Sequence, residues 1–239
     1  AARILLLGQI HELTTASRAA QLYPRNPLVW SRQAALLAET NPNQALSAIH
    51  RALDNWTNQA AEYRYEYPVL LAFQAKLAYE TGECEQGSSS IQLALSQWPN
   101  EPRWHALKAE IELELALQTQ NDHNLREAGI LSAIKHLEKA IELEPEEHSH
   151  TMKLGQVYLW RGDPIRAIQA LERATQSAPD EAEAWHSLAQ AQRHAGNLEE
   201  ARRCAEKALE TSTDPTAVHL LLAEIELDTN NARAANTRI

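Results

Sequence analysis

Phenylalanine and methionine each occur once in this chain, cysteine twice and glycine seven times. Ten prolines complete a short inventory of chain breakers, too small for a collagen-like or low-complexity polypeptide. With β-branched residues also scarce, a sheet protein is disfavoured, and the abundance of Ala and Leu leans to helix. No apolar run approaches the ~20 residues that span a bilayer as a helix. Basic residues are in deficit, 22 against 32 acidic ones, for a formal charge of −10. Nucleic-acid binding rests on clustered Lys and Arg, so that balance argues against it. Cys84 and Cys204 form neither a CxxC pair nor a disulfide framework; two isolated thiols suit a reducing compartment, and the expected location is the cytoplasm.

Catalytic signatures are equally sparse. There is no glycine-rich phosphate loop, no nucleophile elbow and no His-Glu-x-x-His. His148 and His150 sit together without a third ligand, at a spacing unlike paired histidines on one helical face. The expectation is a protein that is not an enzyme and holds no metal and no cofactor.

What the chain has is periodicity. Ala133, Ala167 and Ala201 lie 34 residues apart, as do Ala140, Ala174 and Ala208. Leu137, Leu171 and Ala205 keep the same interval, as do Gly155, Ala189 and Ala223, and Gly162, Gly196 and Asn230. Pro145 and Pro179 form a sixth column. Such spacing describes a helix–turn–helix unit. Small residues let helices approach, large ones fill the space between them, Gly forms the turn and Pro ends the second helix. Asn41-Pro42, Asp163-Pro164 and Asp214-Pro215 supply capping residues followed by first-turn prolines.

The run Leu154-Gly155-x2-Tyr158, then Gly162, Ala167, Leu171, Ala174 and Pro179, resembles the tetratricopeptide repeat (TPR) pattern, and Trp185-x2-Leu188-Ala189 opens a further copy. The resemblance implies an all-α fold: a right-handed superhelical solenoid of antiparallel helix pairs. We expect about six repeats, with partial repeats at both ends, in one solenoid over residues 1–239. Earlier units begin near Pro27, Pro68 and Glu101. Irregular or inserted stretches are expected near 56–67, which contains Tyr63, Tyr65 and Tyr67, and near 118–127. There the Pro99-to-Pro145 interval exceeds one period by 12 residues. Gly8 and Asn230 are expected to form turns of the terminal partial repeats, as in a segment of a longer array.

What the family implies is a scaffold that holds a peptide or helix of a partner protein in a groove lined by the first helix of each pair. In this register the second, fifth, ninth, twelfth and thirteenth positions face the groove. A chaperone-type carboxylate clamp would use Lys, Asn and Arg at the second, fifth, sixth and ninth positions. Lys76 holds a ninth position and Arg32 and Lys153 hold sixth positions, but the Asn partners are missing, so capture of a chaperone C-terminus is not expected. The fourth and fifth units combine apolar with hydrogen-bonding groups: Met152, Gln156, Leu159, Trp160, His186, Gln190 and Arg193 are the candidate partner-binding residues. Met152, Leu159 and Trp160 would take an apolar anchor, while the polar members would bond a peptide backbone or a carboxylate. Membrane insertion is not expected. The alternatives are a regulatory or targeting arm of a larger enzyme, envelope exporter or sensor, and self-association through the repeat ends, where Ile4–Leu7 is apolar.

Overall fold

A computed structural model describes the backbone of residues 2–56, 66–119 and 122–236, and the side chains of 12–56, 66–119 and 122–230. Among the described residues every regular element is an α-helix. In chain order they are α1 (Ala2–Leu22), α2 (Pro27–Leu37), α3 (Pro42–Asp54), α4 (Glu66–Glu80), α5 (Cys84–Gln97) and α6 (Pro102–Gln118). They continue as α7 (His123–Leu143), α8 (His148–Arg161), α9 (Pro164–Ser177), α10 (Ala182–His194), α11 (Leu198–Thr211) and α12 (Thr216–Asn236). The chain forms two compact units, Ala1–Gly129 and Ile130–Ile239, with the boundary inside α7.

Both units are stacks of helix pairs in which consecutive helices pack on each other. The pairs α2–α3 and α4–α5 lie in the first unit, and α8–α9 and α10–α11 in the second. Turns within pairs use the expected glycines: Gly82, Gly162 and Gly196 adopt φ of 83°, 80° and 82°, the left-handed region that other residues enter at a cost. At Asn230 the expected turn is absent and α12 continues through it. Gly8 likewise lies inside continuous α1. These two helices, each of 21 residues, replace the expected partial hairpins.

Helix starts follow the capping logic. Asn41 Oδ1 accepts from the Gln44 amide at 3.1 Å, Asp163 Oδ1 from Arg166 at 3.2 Å, and Asp214 Oδ1 from Thr216 at 3.1 Å. Asn26, ahead of Pro27, caps α2 in the same manner. The alanine columns are the helix-pair interfaces: Ala133, Ala167 and Ala201 are wholly buried, as are Ala140 and Ala208. A Cβ on Gly155 would stand 2.5 Å from Leu171 Cγ, so glycine is what admits α9 against α8.

The polar insertion resolves into helix. α6 has 17 residues and α7 has 21, against 13 or 14 in α8 to α11, and residues 123–127 lie within α7. Asp122 caps this extension through the Asn124 and Leu125 amides. Gly129 lets it lie close to α6, with Ala116 Cβ 2.9 Å from where a side chain would begin. Tyr63 and Tyr65 lie outside the described residues, whereas Tyr67 packs its ring against Trp56 with centroids 6.0 Å apart.

One recurrent contact was not legible as such. The indole N–H of Trp30 donates to Pro24 O at 2.8 Å, and that of Trp185 to Pro179 O at 2.7 Å. His105 Nε2 makes the same bond to Pro99 O at 2.9 Å. In each case a ring six residues downstream fastens the loop between repeats to the following helix.

Candidate functional site

In the second unit α10 packs against both α8 and α12. Residues at intervals of three or four share one helix face, so the register creates rows across these three helices. Met152, His186 and Leu220 form one row; Gln156, Gln190 and Glu224 the next. Leu159, Arg193 and Leu227 follow, then Trp160, His194 and Asp228.

Side-chain bonds knit the rows together. Gln156 Nε2 donates to Glu183 Oε1 at 3.0 Å and to Ser187 Oγ at 3.1 Å, joining α8 to α10. Arg193 Nε donates to Asp228 Oδ2 at 2.6 Å, and another guanidinium nitrogen bonds Glu224, joining α10 to α12. The guanidinium expected to meet a partner's carboxylate thus already serves two carboxylates of its own chain. Gln156 is engaged in the same way. The spacing carried a signal for Arg193: one period on, the acids Glu224 and Asp228 flank its register position on α12, which becomes visible once the units are laid side by side.

The apolar candidates divide. Met152 is 7% exposed and belongs to the core between helices. Leu159 is half-buried. Trp160 is 48% exposed even though α10 is already seated against α8. On α12, Leu220 and Leu227 are 64% and 63% exposed, two turns apart on the stripe that carries Glu224. His186 and Gln190 are half-buried between these patches. Burial pushes the His186 pKa below its ordinary value, against the opposing pull of Glu183 and Glu224. The neutral ring is therefore the favoured form at neutral pH.

Other reactive groups are shielded. Burial raises the Cys204 thiol to about 11 and also raises Cys84, where Glu114 adds to the effect; both sulfurs are free and buried. Neither has the lowered pKa of a nucleophilic thiol. A hollow at the α4–α5 turn, lined by Gly82, Glu83, Cys84, Glu85, Gln86 and Gln118, presents no activated group. His150 is 4% exposed, with no hydrogen bond to either ring nitrogen and Glu144 Oε2 3.7 Å away. Among the described residues no three His, Cys, Asp or Glu side chains converge on a metal position. Among them, too, no helix is long and apolar enough to cross a membrane.

Helix pairs of this length, turned by left-handed glycines and packed through alanine columns, define an all-α helical-repeat protein. The tetratricopeptide repeat family matches residues 130–192 and again 161–225. Residues 130–225 are therefore tetratricopeptide repeats. Solved structures extend the likeness over most of the chain. A thermophilic TPR protein from Thermus thermophilus superposes with a TM-score of 0.64 at 21% identity, covering 84% of this chain and 99% of that one. YrrB, described as a TPR protein with an unusual peptide-binding site, gives 0.62 at 15% identity, covering 88% and 97%. A MamA fragment from Desulfovibrio magneticus gives 0.58 at 18% identity, covering 72% and 90%. No curated protein sequence matches the chain.

Proposed function

We propose that this protein is an interaction scaffold, and that the shared face of α8, α10 and α12 receives a peptide or helix from a partner protein. The observation that carries the reading is Trp160. A large aromatic ring stays half exposed beside Leu159 although its neighbouring helix is in place, and aromatic side chains of this kind anchor interfaces. Met152 and Gln156 precede Trp160 by two turns and one turn on the same stripe of α8, and His186 and Gln190 on α10 offer hydrogen-bonding groups. A structural neighbour described as peptide-binding, YrrB, supports the reading. We read the role as non-catalytic, in keeping with two thiols that are buried and raised in pKa. Two free buried cysteines also suit a cytoplasmic setting.

Selection of a displayed peptide library on the whole chain tests the proposal. Selected peptides should bind the wild type and lose about tenfold in affinity on Trp160→Ala, with Gln190→Ala weakening them less. Peptides indifferent to both substitutions would place the binding surface elsewhere.

A further inference from the structure

We infer that the segment received by this face is amphipathic and basic, an inference that rests on the scaffold reading and specifies its partner. Three carboxylates, Glu183, Glu224 and Asp228, stand on the face formed by α8, α10 and α12, and one guanidinium, Arg193, stands among them. Arg193 bonds two of the three, so the local balance remains negative after its pairs are made. Glu183 accepts only the neutral Gln156 amide and is exposed. His186 adds no compensating charge at neutral pH, because burial holds its pKa down. Lys153 lies at the sixth register position of α8, beside the face, and His194 shares the row of Trp160 and Asp228. The three carboxylates still outnumber Arg193 and Lys153, and Arg161 falls at the fourteenth position, off the face.

Exposed apolar side chains share the face with these acids. Trp160 lies at the α8 side, and Leu227 lies at the α12 side beside Asp228. Acids interspersed with exposed apolar side chains complement an amphipathic helix that carries both Leu-type and Lys or Arg side chains. It does not complement an acidic peptide, whose carboxylates would meet Glu183 unpaired and compete with Glu224 and Asp228 for Arg193. The chain's formal charge of −10 acts in the same direction at long range.

Three labelled synthetic peptides test this, sharing one leucine-bearing face and differing in whether the polar face carries Lys, Gln or Glu. Their binding to the whole chain is read by fluorescence anisotropy at low and high salt. The lysine peptide should bind tightest, the glutamate peptide weakest, and the gap should close as salt screens the face. Glu183→Gln keeps the acceptor for Gln156 and should weaken the lysine peptide about threefold, the scale of one exposed ion pair. Arg193→Gln should tighten it, whereas a role for Arg193 as a carboxylate anchor requires a loss. Circular dichroism verifies that each variant is folded, and Glu183→Gln, which leaves the Arg193 pairs intact, decides if Arg193→Gln unfolds. Tightest binding by the glutamate or the glutamine peptide overturns the inference while leaving the scaffold reading intact if Trp160→Ala still weakens binding about tenfold. Binding that ignores Trp160→Ala overturns both. If none of the peptides binds, the inference falls, and the library selection alone decides the scaffold reading.

Discussion

The two units spend their polar side chains differently. In the first, they lie between helices. Lys108 Nζ, with its side chain 7% exposed, reaches Glu112 Oε1 at 2.8 Å, Ser88 Oγ at 2.7 Å and Ser88 O at 3.2 Å, fastening α6 to α5. Ser90 donates to Gln74 at 2.8 Å inside the α4–α5 pair, and His50 meets Gln86 at 2.8 Å between α3 and α5. Glu112 holds a groove position by register, yet its charge is consumed within the fold. In the second unit the comparable side chains lie on the outer face of α8, α10 and α12, and acids there outnumber the single guanidinium. The same helix-pair architecture thus yields one unit whose bridging ion pair is buried and another whose bridges leave their carboxylates in solvent. Repeat geometry sets where a side chain sits, while the surrounding residues decide whether it is available.

The largest expected effect lies in the first unit. Lys108→Ala leaves Glu112 and Ser88 without their cation and should cost about 3 kcal/mol, measured by urea denaturation. Lys108→Met with Glu112→Leu should recover most of that loss, because no buried charge remains unpaired. A cost under half of this for Lys108→Ala would mean that the first unit does not depend on its internal ion pair.

Gly155→Leu tests the second unit's core instead. Overpacking against Leu171 should cost roughly 1–3 kcal/mol, and a neutral thermal midpoint would contradict the close approach of α8 and α9. The proline clasp is common to both units, so Trp30→Phe and Trp185→Phe should each cost about 1 kcal/mol for one hydrogen bond. Unequal costs would show that the units differ in more than their ion pairs.

The smallest effect is one of pH. His150 and His186 both have pKa values lowered chiefly by burial, although Glu144 and Glu147 oppose this at His150 and Glu183 and Glu224 at His186. A lowered folded pKa means that the unfolded chain binds protons first. Stability is then full above the unfolded value of about 6.5 and declines as pH falls below it. Denaturation midpoints on either side of that value should show the decline, and His150→Leu should flatten it. A midpoint that rises on acidification would reverse the sign assigned here.

Much of this was legible beforehand, for identifiable reasons. Ala167, Leu171 and Ala201 declared themselves because helix-pair interfaces admit only certain volumes, and Gly162 and Gly196 because a left-handed turn favours glycine. The Asp-Pro and Asn-Pro pairs marked helix starts through local hydrogen bonding alone. Gly8 and Asn230 misled because position in a period does not break a helix: Asn lacks glycine's freedom at positive φ, and a glycine inside a helix carries only a modest penalty. The segment near 118–127 was legible as an insertion from its length and polarity, whereas its place at the start of α7 depends on Asp122, which caps the helix, and on Gly129, which gives it room beside α6.

At the candidate face the division is sharper. Period and residue type alone determined the helix pairs and which positions share a face, since both follow from local geometry and volume. Whether a residue on that face is free to act was decided only in the tertiary structure. Met152 is buried, Arg193 is neutralised because α12 brings Glu224 and Asp228 to it, and Trp160 is left in solvent. Those outcomes depend on side chains about one period apart in sequence, and only folding brings them within bonding distance.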